Sequence, residues 1–491
     1  MSNFASIMST ISDISKTENG GRCFSTTGGG ALLDLFSSIG GMRNRDENDI
    51  INMWRAAREE DKELADNLIL YTRNIRECGL GERKIGRLLI KELAKIDPSK
   101  VSRNLDTIVK AGRWDDLFCL IGTDVEGEVW KFIENQLRTD VSNMKNNQPI
   151  SLCAKWMPSI NTSSKETRRL ARKACVILGI SERSYRKMLS ALRKYIDVVE
   201  KKMSAREWDS IEFDTVPSVA MNRYMNSFNR NCPESFSKYK ESLVKGETKV
   251  NASTLYPYDL VKNYIRSYNS WGGRENIDVI TEEQWKALPN YVNDGDDILF
   301  VCDTSGSMLC YNYEPISTAV GLSLYFAQRN KGAYHNMFMT FSSNPEIRKI
   351  DENWSLQGCL DYVLESKWGM STDLDKTFKL IFDIAKEARD VPKALVIVSD
   401  MEINQWGSTS ITESISQKWR KKFNSIGLEM PKLIYWNVAC RNNNTLSQCN
   451  ENISYVSGYG IGAFNFLQTL INKGSYEAMK EILTNEAFNW K

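Results

Sequence analysis

The sequence contains a single histidine, His335, and has no pair of cysteines in a Cys-x-x-Cys arrangement. Protein zinc sites are built mostly from cysteine and histidine, so these two shortages argue against a zinc centre. We interpret His335 as structural, because it lies at the start of a predicted strand. The 11 cysteines are an odd number, and several of them, such as Cys175 and Cys302, lie inside apolar patterns. We therefore expect reduced, mostly buried thiols and a cytoplasmic protein.

Long apolar runs are also missing. No stretch approaches the ~20 consecutive apolar residues that a membrane-spanning helix needs. The first residues lack the basic start and apolar core of a secretory signal. We therefore expect no membrane association. The formal net charge is only +2 and does not identify a partner. With 491 residues the chain is too long for one core, and we expect two or three domains.

A short apolar run at 298–302 predicts a buried strand that ends in a polar loop. Asp303, Ser305 and Ser307 occupy alternate positions of this loop, and Gly306 permits a tight turn. Carboxylate, hydroxyl and water oxygens are the ligands that Mg²⁺ prefers. The alternative is a simple capping turn, in which these side chains accept hydrogen bonds from the start of the next helix.

Two later segments favour the metal site over the capping turn. Thr372 offers a further hydroxyl, and the apolar run Ala394–Ser399 predicts a second buried strand that ends at Asp400. We expect Asp400 at the same sheet edge as the first loop. We therefore predict Mg²⁺, or another divalent cation, as the cofactor. The predicted ligands are Asp303, Ser305, Ser307, Thr372 and Asp400.

Nothing beside this predicted site indicates catalysis. No nucleophile, general base or second metal accompanies the five side chains, so we expect a protein that is not an enzyme. A cation that keeps net positive charge can instead take a carboxylate or phosphate oxygen from a partner as its last ligand. Glu402, two residues after Asp400, is interpreted as a surface acid rather than a group that supports the site.

Strand and helix patterns alternate through residues 291–491. This alternation predicts a mainly parallel sheet with helices on both faces, in which ligands bind beyond the carboxyl ends of the strands. The predicted strands are 298–302, 337–341, 394–399, 432–438 and 453–458. The predicted helices are 316–327, 360–365, 374–388, 411–423 and 463–472.

The first part of the chain predicts a different architecture. Residues 1–27 are rich in serine, threonine, glycine and asparagine, and we expect a flexible arm. Residues 28–290 show helical periodicity, with helices of ten to fifteen residues separated by glycine or proline. This spacing favours stacked helical hairpins of the HEAT type, although no repeating motif is visible. The predicted fold class is thus an α-helical repeat domain at 28–290 followed by an α/β domain at 291–491.

Basic residues concentrate between positions 151 and 200, where eleven lysines and arginines face four acids. On two predicted helices they recur at three- and four-residue intervals and so form one stripe on each helix. Paired basic stripes are typical of a phosphate-binding surface, and we weigh RNA contact slightly ahead of an ordinary solvated surface. The predicted RNA contacts are Lys165, Arg168, Arg169, Arg172, Lys173, Arg183, Arg186 and Lys187.

Two resemblances to known families follow from these motifs. The order Asp-x-Ser-x-Ser, threonine and strand-terminal aspartate resembles the metal-ion-dependent adhesion site of von Willebrand factor A domains.

Five segments resemble a poorly characterised family of viral, plant and fungal proteins that is similar to the TROVE module of Ro proteins. They are Leu-Cys-Ala-Lys-Trp-Met-Pro-Ser at 152–159, Tyr-Arg-Lys-Met-Leu-Ser-Ala-Leu-Arg at 185–193, Val-Val-Glu-Lys-Lys-Met-Ser at 198–204, Val-Pro-Ser-Val-Ala-Met at 216–221 and Asn-Ala-Ser-Thr-Leu-Tyr-Pro at 251–257.

The second resemblance implies helical repeats bent into a ring that an A domain closes, with single-stranded RNA ends and RNA helices on basic surfaces. Our first hypothesis is accordingly a cytoplasmic, non-enzymatic RNA-binding scaffold that forms a ribonucleoprotein. The alternative is a component of a virus particle or other large complex, in which the metal site binds an acidic group of a protein partner and no RNA is bound. Steep weakening by salt is expected only for the first.

Overall fold

The computed structural model describes residues 12–76, 78–196, 198–268, 276–293, 295, 297–341, 344–365, 373–404, 414–449 and 452–491. Within these residues a helical first part precedes an α/β second part, which confirms the predicted order of the two architectures. The strands are β1 (Ile14–Lys16), β2 (Arg22–Phe24), β3 (Ile298–Asp303), β4 (Met337–Phe341), β5 (Ile347–Lys349), β6 (Ala394–Ser399), β7 (Lys432–Asn437) and β8 (Ile453–Ser457).

Helices fill the first part of the chain. Their lengths vary more than the predicted ten to fifteen residues, from four residues in the shortest to twenty in the longest. They are α1 (Ala31–Ser38), α2 (Glu47–Glu60), α3 (Lys62–Arg73), α4 (Arg83–Ile96), α5 (Pro98–Arg103), α6 (Leu105–Ala111), α7 (Glu126–Lys145), α8 (Cys153–Trp156), α9 (Lys165–Ile177), α10 (Glu182–Ile196), α11 (Val199–Ala205), α12 (Ser218–Asn231), α13 (Pro233–Val244), α14 (Pro257–Tyr268) and α15 (Val279–Lys286).

The second part interleaves its strands with helices. The first of these helices begins with a left-handed turn at 311–313 and then runs regularly to its end. The helices are α16 (Cys310–Arg329), α17 (Leu356–Leu364), α18 (Leu374–Ala388), α19 (Ile415–Ser425), α20 (Ile461–Asn472) and α21 (Ser475–Leu483).

Six strands form the main sheet, in the order β5-β4-β3-β6-β7-β8. All neighbours are parallel except the edge strand β5, which is antiparallel to β4. Strand β3 therefore lies in the middle of the sheet. The strands β4 and β5 lie on one side of it, and β6, β7 and β8 lie on the other. The place where the direction reverses lies between β3 and β6. In sheets of this kind that place is where ligands bind, beyond the carboxyl ends of the strands.

Strand residues alternate between two apolar layers, as the twofold repeat of a strand requires. Phe300 and Cys302 point to the layer that contains α16, α17 and α20. Leu299 and Val301 point to the opposite layer, which contains α18 and α19. Burial on both faces explains why β3 and β6 are continuous apolar runs rather than alternating ones.

The amino-terminal helices share a core with this sheet. Phe36 of α1 packs against Phe466 of α20 with ring centroids 4.8 Å apart. The side-chain amide of Asn67 donates to the carbonyl of Leu483 at 3.0 Å, and the indole of Trp490 donates to the carbonyl of Asp66 at 2.8 Å. One apolar cluster runs from Leu32 to Phe488. The helices near the start of the chain therefore pack on the α/β part. A separate cluster joins α12, α13 and α15.

Gly40 marks a point where the two parts of the chain touch backbone to backbone. Its N–H donates to Ser457 Oγ at 3.0 Å, and a Cβ added there would lie 2.5 Å from the Ser457 carbonyl oxygen. We expect Gly40→Ala to lower the free energy of unfolding by about 1–3 kcal/mol, because the backbone must shift to admit the methyl group. Gly127→Ala is the matched control, since no atom lies within 4 Å of its added Cβ. Urea denaturation checks both, and equal stability of the two variants would contradict the prediction.

Residues 12–27 differ from the predicted flexible arm. Strands β1 and β2 form an antiparallel hairpin, and Phe24 pairs with Thr445 while Gly20 pairs with Asn404. Cys23 is fully buried in the apolar layer of α18 and α19. The hairpin gains its burial and backbone hydrogen bonds from residues about four hundred positions away, so its local composition did not reveal it.

Candidate metal centre and candidate nucleic-acid interface

Asp303, the last residue of β3, is fully buried and held from two sides. Its Oδ1 accepts the backbone N–H of Ser305 at 2.8 Å. Its Oδ2 accepts the hydroxyl of Ser399, the last residue of β6, at 2.5 Å. The carboxylate is therefore fixed at the edge of the sheet, between the two strands where the order of the sheet reverses.

Asp400 follows β6 directly and is 2% exposed. Its Oδ1 accepts the backbone N–H of Glu402 at 3.2 Å, and the Ser307 hydroxyl donates to the same carboxylate. Ser305 Oγ and Ser307 Oγ lie 3.1 Å apart. The structure thus brings four of the five predicted ligands together. The fifth, Thr372, lies outside the described residues.

The two carboxylates disfavour each other's charge. Burial, together with the nearby charge of Asp400, raises the pKa of Asp303 to about 7. Burial also raises the pKa of Asp400, although the guanidinium of Arg441 works in the opposite direction. Two buried carboxylates beside two hydroxyls form an all-oxygen set of hard ligands, which fits Mg²⁺ and does not fit the softer metals that cysteine and histidine bind. Among the described residues, no three or more histidine, cysteine, aspartate or glutamate side chains form a group that could hold a metal ion, so the candidate site depends on two carboxylates and on hydroxyls.

A cation that we did not predict from the sequence lies at this site. Arg441 Nη2 lies 2.7 Å from Asp400 Oδ2, and Arg441 Nη1 lies 3.4 Å from Glu18 Oε2 of the amino-terminal hairpin. Arg441 lies four residues after the end of the neighbouring strand β7. The sequence therefore did contain a signal that this arginine lies at the same edge of the sheet. Glu18 carried no comparable signal, because the hairpin itself was not predicted.

The interpretation of Glu402 as a surface acid is wrong. Its side chain is 2% exposed, and burial raises its pKa. Its Oε2 accepts the backbone N–H of Glu18 at 2.6 Å, and its Oε1 accepts the amide of Asn444 at 2.9 Å. Glu402 is buried because the hairpin covers it. A Cβ on Gly21 would lie 2.5 Å from the carbonyl oxygen of Ile403, so the close approach of the hairpin requires glycine there.

The basic side chains predicted to contact RNA lie on α9 and α10. Lys165, Arg183 and Lys187 are exposed and form no ion pair with any described residue. The other five have partners on the protein. Arg168 donates to the Thr162 carbonyl at 2.6 Å, Arg169 pairs with Glu166 at 2.6 Å, Arg172 pairs with Glu182 at 3.1 Å, Lys173 pairs with Glu126, and Arg186 donates to Asn161 at 3.5 Å.

A cleft of about 810 Å³ lies between α10, α11 and the segment that follows α8. Arg193 is fixed in its wall, because it donates to the carbonyls of Ala154 and Met157 at 2.8 and 2.7 Å. The cleft continues the basic surface of α10 inward and adds residues outside the predicted set. Its basic lining consists of Lys155, Arg186, Arg193, Lys194 and Lys201, and its acidic lining of Glu200 and Glu207.

Comparisons with known proteins match both parts of the chain. Residues 171–296 match the domain of unknown function DUF2828, and residues 297–489 match the domain of unknown function DUF7788. The chain is 28% identical over 515 residues to the uncharacterized protein L728 of Acanthamoeba polyphaga mimivirus, covering 96% of this chain and 87% of the relative.

A weaker likeness exists to a solved structure, the crystal structure of the Deinococcus radiodurans RO (RSR) protein. It covers 80% of this chain and 93% of that chain at 14% identity, with a TM-score of 0.36. A likeness at this level carries no argument about fold or function. Within the described residues, the structure contains no helix with the length and apolar character needed to cross a bilayer.

Proposed function

We propose that this protein is a non-enzymatic RNA-binding scaffold of the Ro type, in which HEAT-like helical repeats precede a von Willebrand factor A-like domain. The observation that carries the proposal is the exposed basic helix pair α9–α10 beside a basic cleft. Lys165, Arg183 and Lys187 present charges with no protein partner among the described residues, and a backbone of phosphates supplies such partners.

Two of the other basic side chains on this surface, Arg169 and Arg172, can exchange a protein partner for a phosphate at little cost in free energy. The pairs Arg169–Glu166 and Arg172–Glu182 are exposed, with side-chain exposures between 48% and 72%. Exposed pairs of this kind contribute about 0–1 kcal/mol, so an incoming phosphate can replace the carboxylate at little cost. The adjoining cleft falls within the ~300–1,000 Å³ typical of small-ligand sites, which suits one unstacked nucleotide at the end of a single strand.

The proposal assigns Mg²⁺ to the site of Asp303, Ser305, Ser307 and Asp400, with Thr372 as the fifth ligand. The order of the strands supports this assignment, because the two carboxylates lie at the carboxyl ends of β3 and β6, the neighbouring strands between which the order of the sheet reverses. When bound, the cation supplies a position for one oxygen of an acidic ligand. The protein's own residues hold the two carboxylates in place and keep water from most of their surface.

A cytoplasmic location belongs to the same proposal. The structure pairs none of the 11 cysteines, all of which are among the described residues. Seven of them are buried, and burial raises the pKa of several, including Cys302 and Cys440, to about 12. Buried thiols that remain protonated are unreactive and suit a reducing compartment.

A second candidate function is metal-dependent assembly with another protein and no RNA binding, for example in a virus particle or other large complex. The observation that favours it is the carboxylate of Glu18, which lies at the rim of the metal site within 3.4 Å of Arg441. An acidic side chain of a partner could approach the site in the same way.

The two candidates are separated by purifying the full chain at low and at high salt, with and without EDTA. For the RNA scaffold we expect bound nucleic acid that leaves at high salt and stays in EDTA at low salt. Fluorescence anisotropy with single-stranded RNA should then show affinity falling linearly with salt on logarithmic axes. No nucleic acid at low salt, together with a protein that leaves in EDTA, would contradict the RNA proposal and support the assembly.

A further inference from the structure

Arg441 gives the candidate metal site a positive charge of its own. Its guanidinium lies 2.7 Å from Asp400 Oδ2, and its side chain is 20% exposed while that of Asp400 is fully buried. Asp303 has no ion pair with any described residue and is held by neutral donors, the backbone N–H and hydroxyl of Ser305 and the hydroxyl of Ser399. Without another cation, Arg441 is therefore the main compensation for the two buried carboxylates.

Arg441 also has a second acidic partner close by. Glu18 Oε2 lies 3.4 Å from Nη1 of Arg441, and Glu18 is half exposed. The hairpin fixes Glu18 in this position. Its backbone N–H donates to the buried Glu402 carboxylate at 2.6 Å, and the Asn442 amide donates to its Oε1 at 3.2 Å. A small movement of the guanidinium toward Glu18 would release Asp400 without leaving the arginine unpaired.

We propose that Arg441 is a tethered cation that competes with the divalent ion for Asp400, and that Glu18 is the acid that receives Arg441 when the ion binds. The proposal rests on the metal site of the proposed function and adds its regulation. A divalent ion next to a guanidinium is repelled at short range unless the guanidinium withdraws. The docked hairpin thus lowers the cost of metal binding, and its displacement would weaken metal binding.

This mechanism makes opposite predictions for the two residues. In Arg441→Met the competing charge is gone, and we expect Mg²⁺ and Mn²⁺ to bind at least about tenfold more tightly than in the parent protein. In Glu18→Gln the arginine has only Asp400 as a partner, and we expect binding about threefold weaker. In EDTA, Arg441→Met should be less stable than the parent, because a buried carboxylate is left without its cation, and Mg²⁺ should restore the loss.

The experiment is isothermal titration calorimetry of Mg²⁺ and Mn²⁺ into the metal-free full chain. Arg389→Met is the matched control, because it removes an exposed arginine of the same α/β part that donates to the Ile426 carbonyl and does not reach the site. The double variant Glu18→Gln/Arg441→Met separates the mechanism from a plain effect of Glu18's charge. If Glu18 acts through Arg441, Glu18→Gln should change the affinity much less in the Arg441→Met background than in the parent.

Asp400→Asn distinguishes failure of this inference from failure of the metal site itself. If Asp400→Asn abolishes metal binding while Arg441→Met binds as the parent does or more weakly, the tethered cation is refuted and the site stands. If Asp400→Asn binds as well as the parent, the metal site is refuted and the inference with it. Tighter metal binding by Arg441→Met than by the parent, together with loss of the Glu18→Gln effect in the double variant, would support the inference.

Discussion

Charge reversal at Arg183, Arg186 and Lys187, each to glutamate, is expected to weaken binding of single-stranded RNA at least about 100-fold near 100 mM salt. Each lost phosphate contact costs on the order of 1 kcal/mol, and each introduced carboxylate adds repulsion. The three side chains are exposed on α10, and Arg186 also lines the cleft. They form no ion pair within the described part of the chain, so the fold should tolerate the change.

The measurement is anisotropy with a labelled single-stranded RNA over a range of salt concentrations. The slope of log affinity against log salt should fall by about 2, since each single-strand contact contributes about 0.7. The control variant reverses Lys238, Lys379 and Lys386, three exposed lysines on α13 and α18 that carry no ion pair to a described residue. Equal weakening by both variants would mean that only net charge matters, and would contradict a specific surface on α10.

Asp303→Asn is expected to abolish the stabilisation of the protein by Mg²⁺. A ligand at one hundred times its dissociation constant stabilises the folded state by about 2.7 kcal/mol. Loss of one carboxylate ligand removes both a bond and the charge that attracts the ion. The asparagine amide oxygen can accept the Ser305 N–H, and its NH2 group can donate to Ser399 Oγ after that hydroxyl turns, so the variant should fold.

Thermal unfolding in EDTA and in Mg²⁺ measures this effect. The parent protein should unfold at a higher temperature in Mg²⁺, and Asp303→Asn at the same temperature in both. Asp383→Asn, which neutralises an exposed acid on α18, is the control and should keep the full Mg²⁺ response. An unchanged Mg²⁺ response in Asp303→Asn would show that any bound ion lies elsewhere.

The central strands could be predicted from the sequence because they are buried on both faces. β4 and β6 have the predicted bounds, and the other three predicted strands differ by one residue. Helix α18 likewise has its predicted bounds. In contrast, β5 and α21 were missed. β5 has three residues at an edge, too few for a periodic pattern, and α21 obtains its burial from α1, α3 and β8 rather than from a strong local signal.

Only the part of the candidate site that lies at the carboxyl ends of buried strands could be predicted from the sequence. Asp303 is the last residue of one buried strand and Asp400 follows another directly, so the topology of a parallel sheet brings them to one edge. The charges that surround them depend on distant parts of the chain. Glu18 and Glu402 are 384 positions apart and meet because the hairpin docks beside β6. No local pattern encodes such a contact, and the burial of Glu402 was missed for the same reason.

Crystallographic analysis of the full chain with Mn²⁺ tests the metal site most directly, through the anomalous signal of the ion. The account predicts one strong anomalous peak within ligand distance of Ser305 Oγ, Ser307 Oγ and the carboxylates of Asp303 and Asp400. It also predicts that the Arg441 guanidinium has moved from Asp400 to Glu18. A map with no peak among these four side chains at saturating Mn²⁺, and with Arg441 still bound to Asp400, would contradict it.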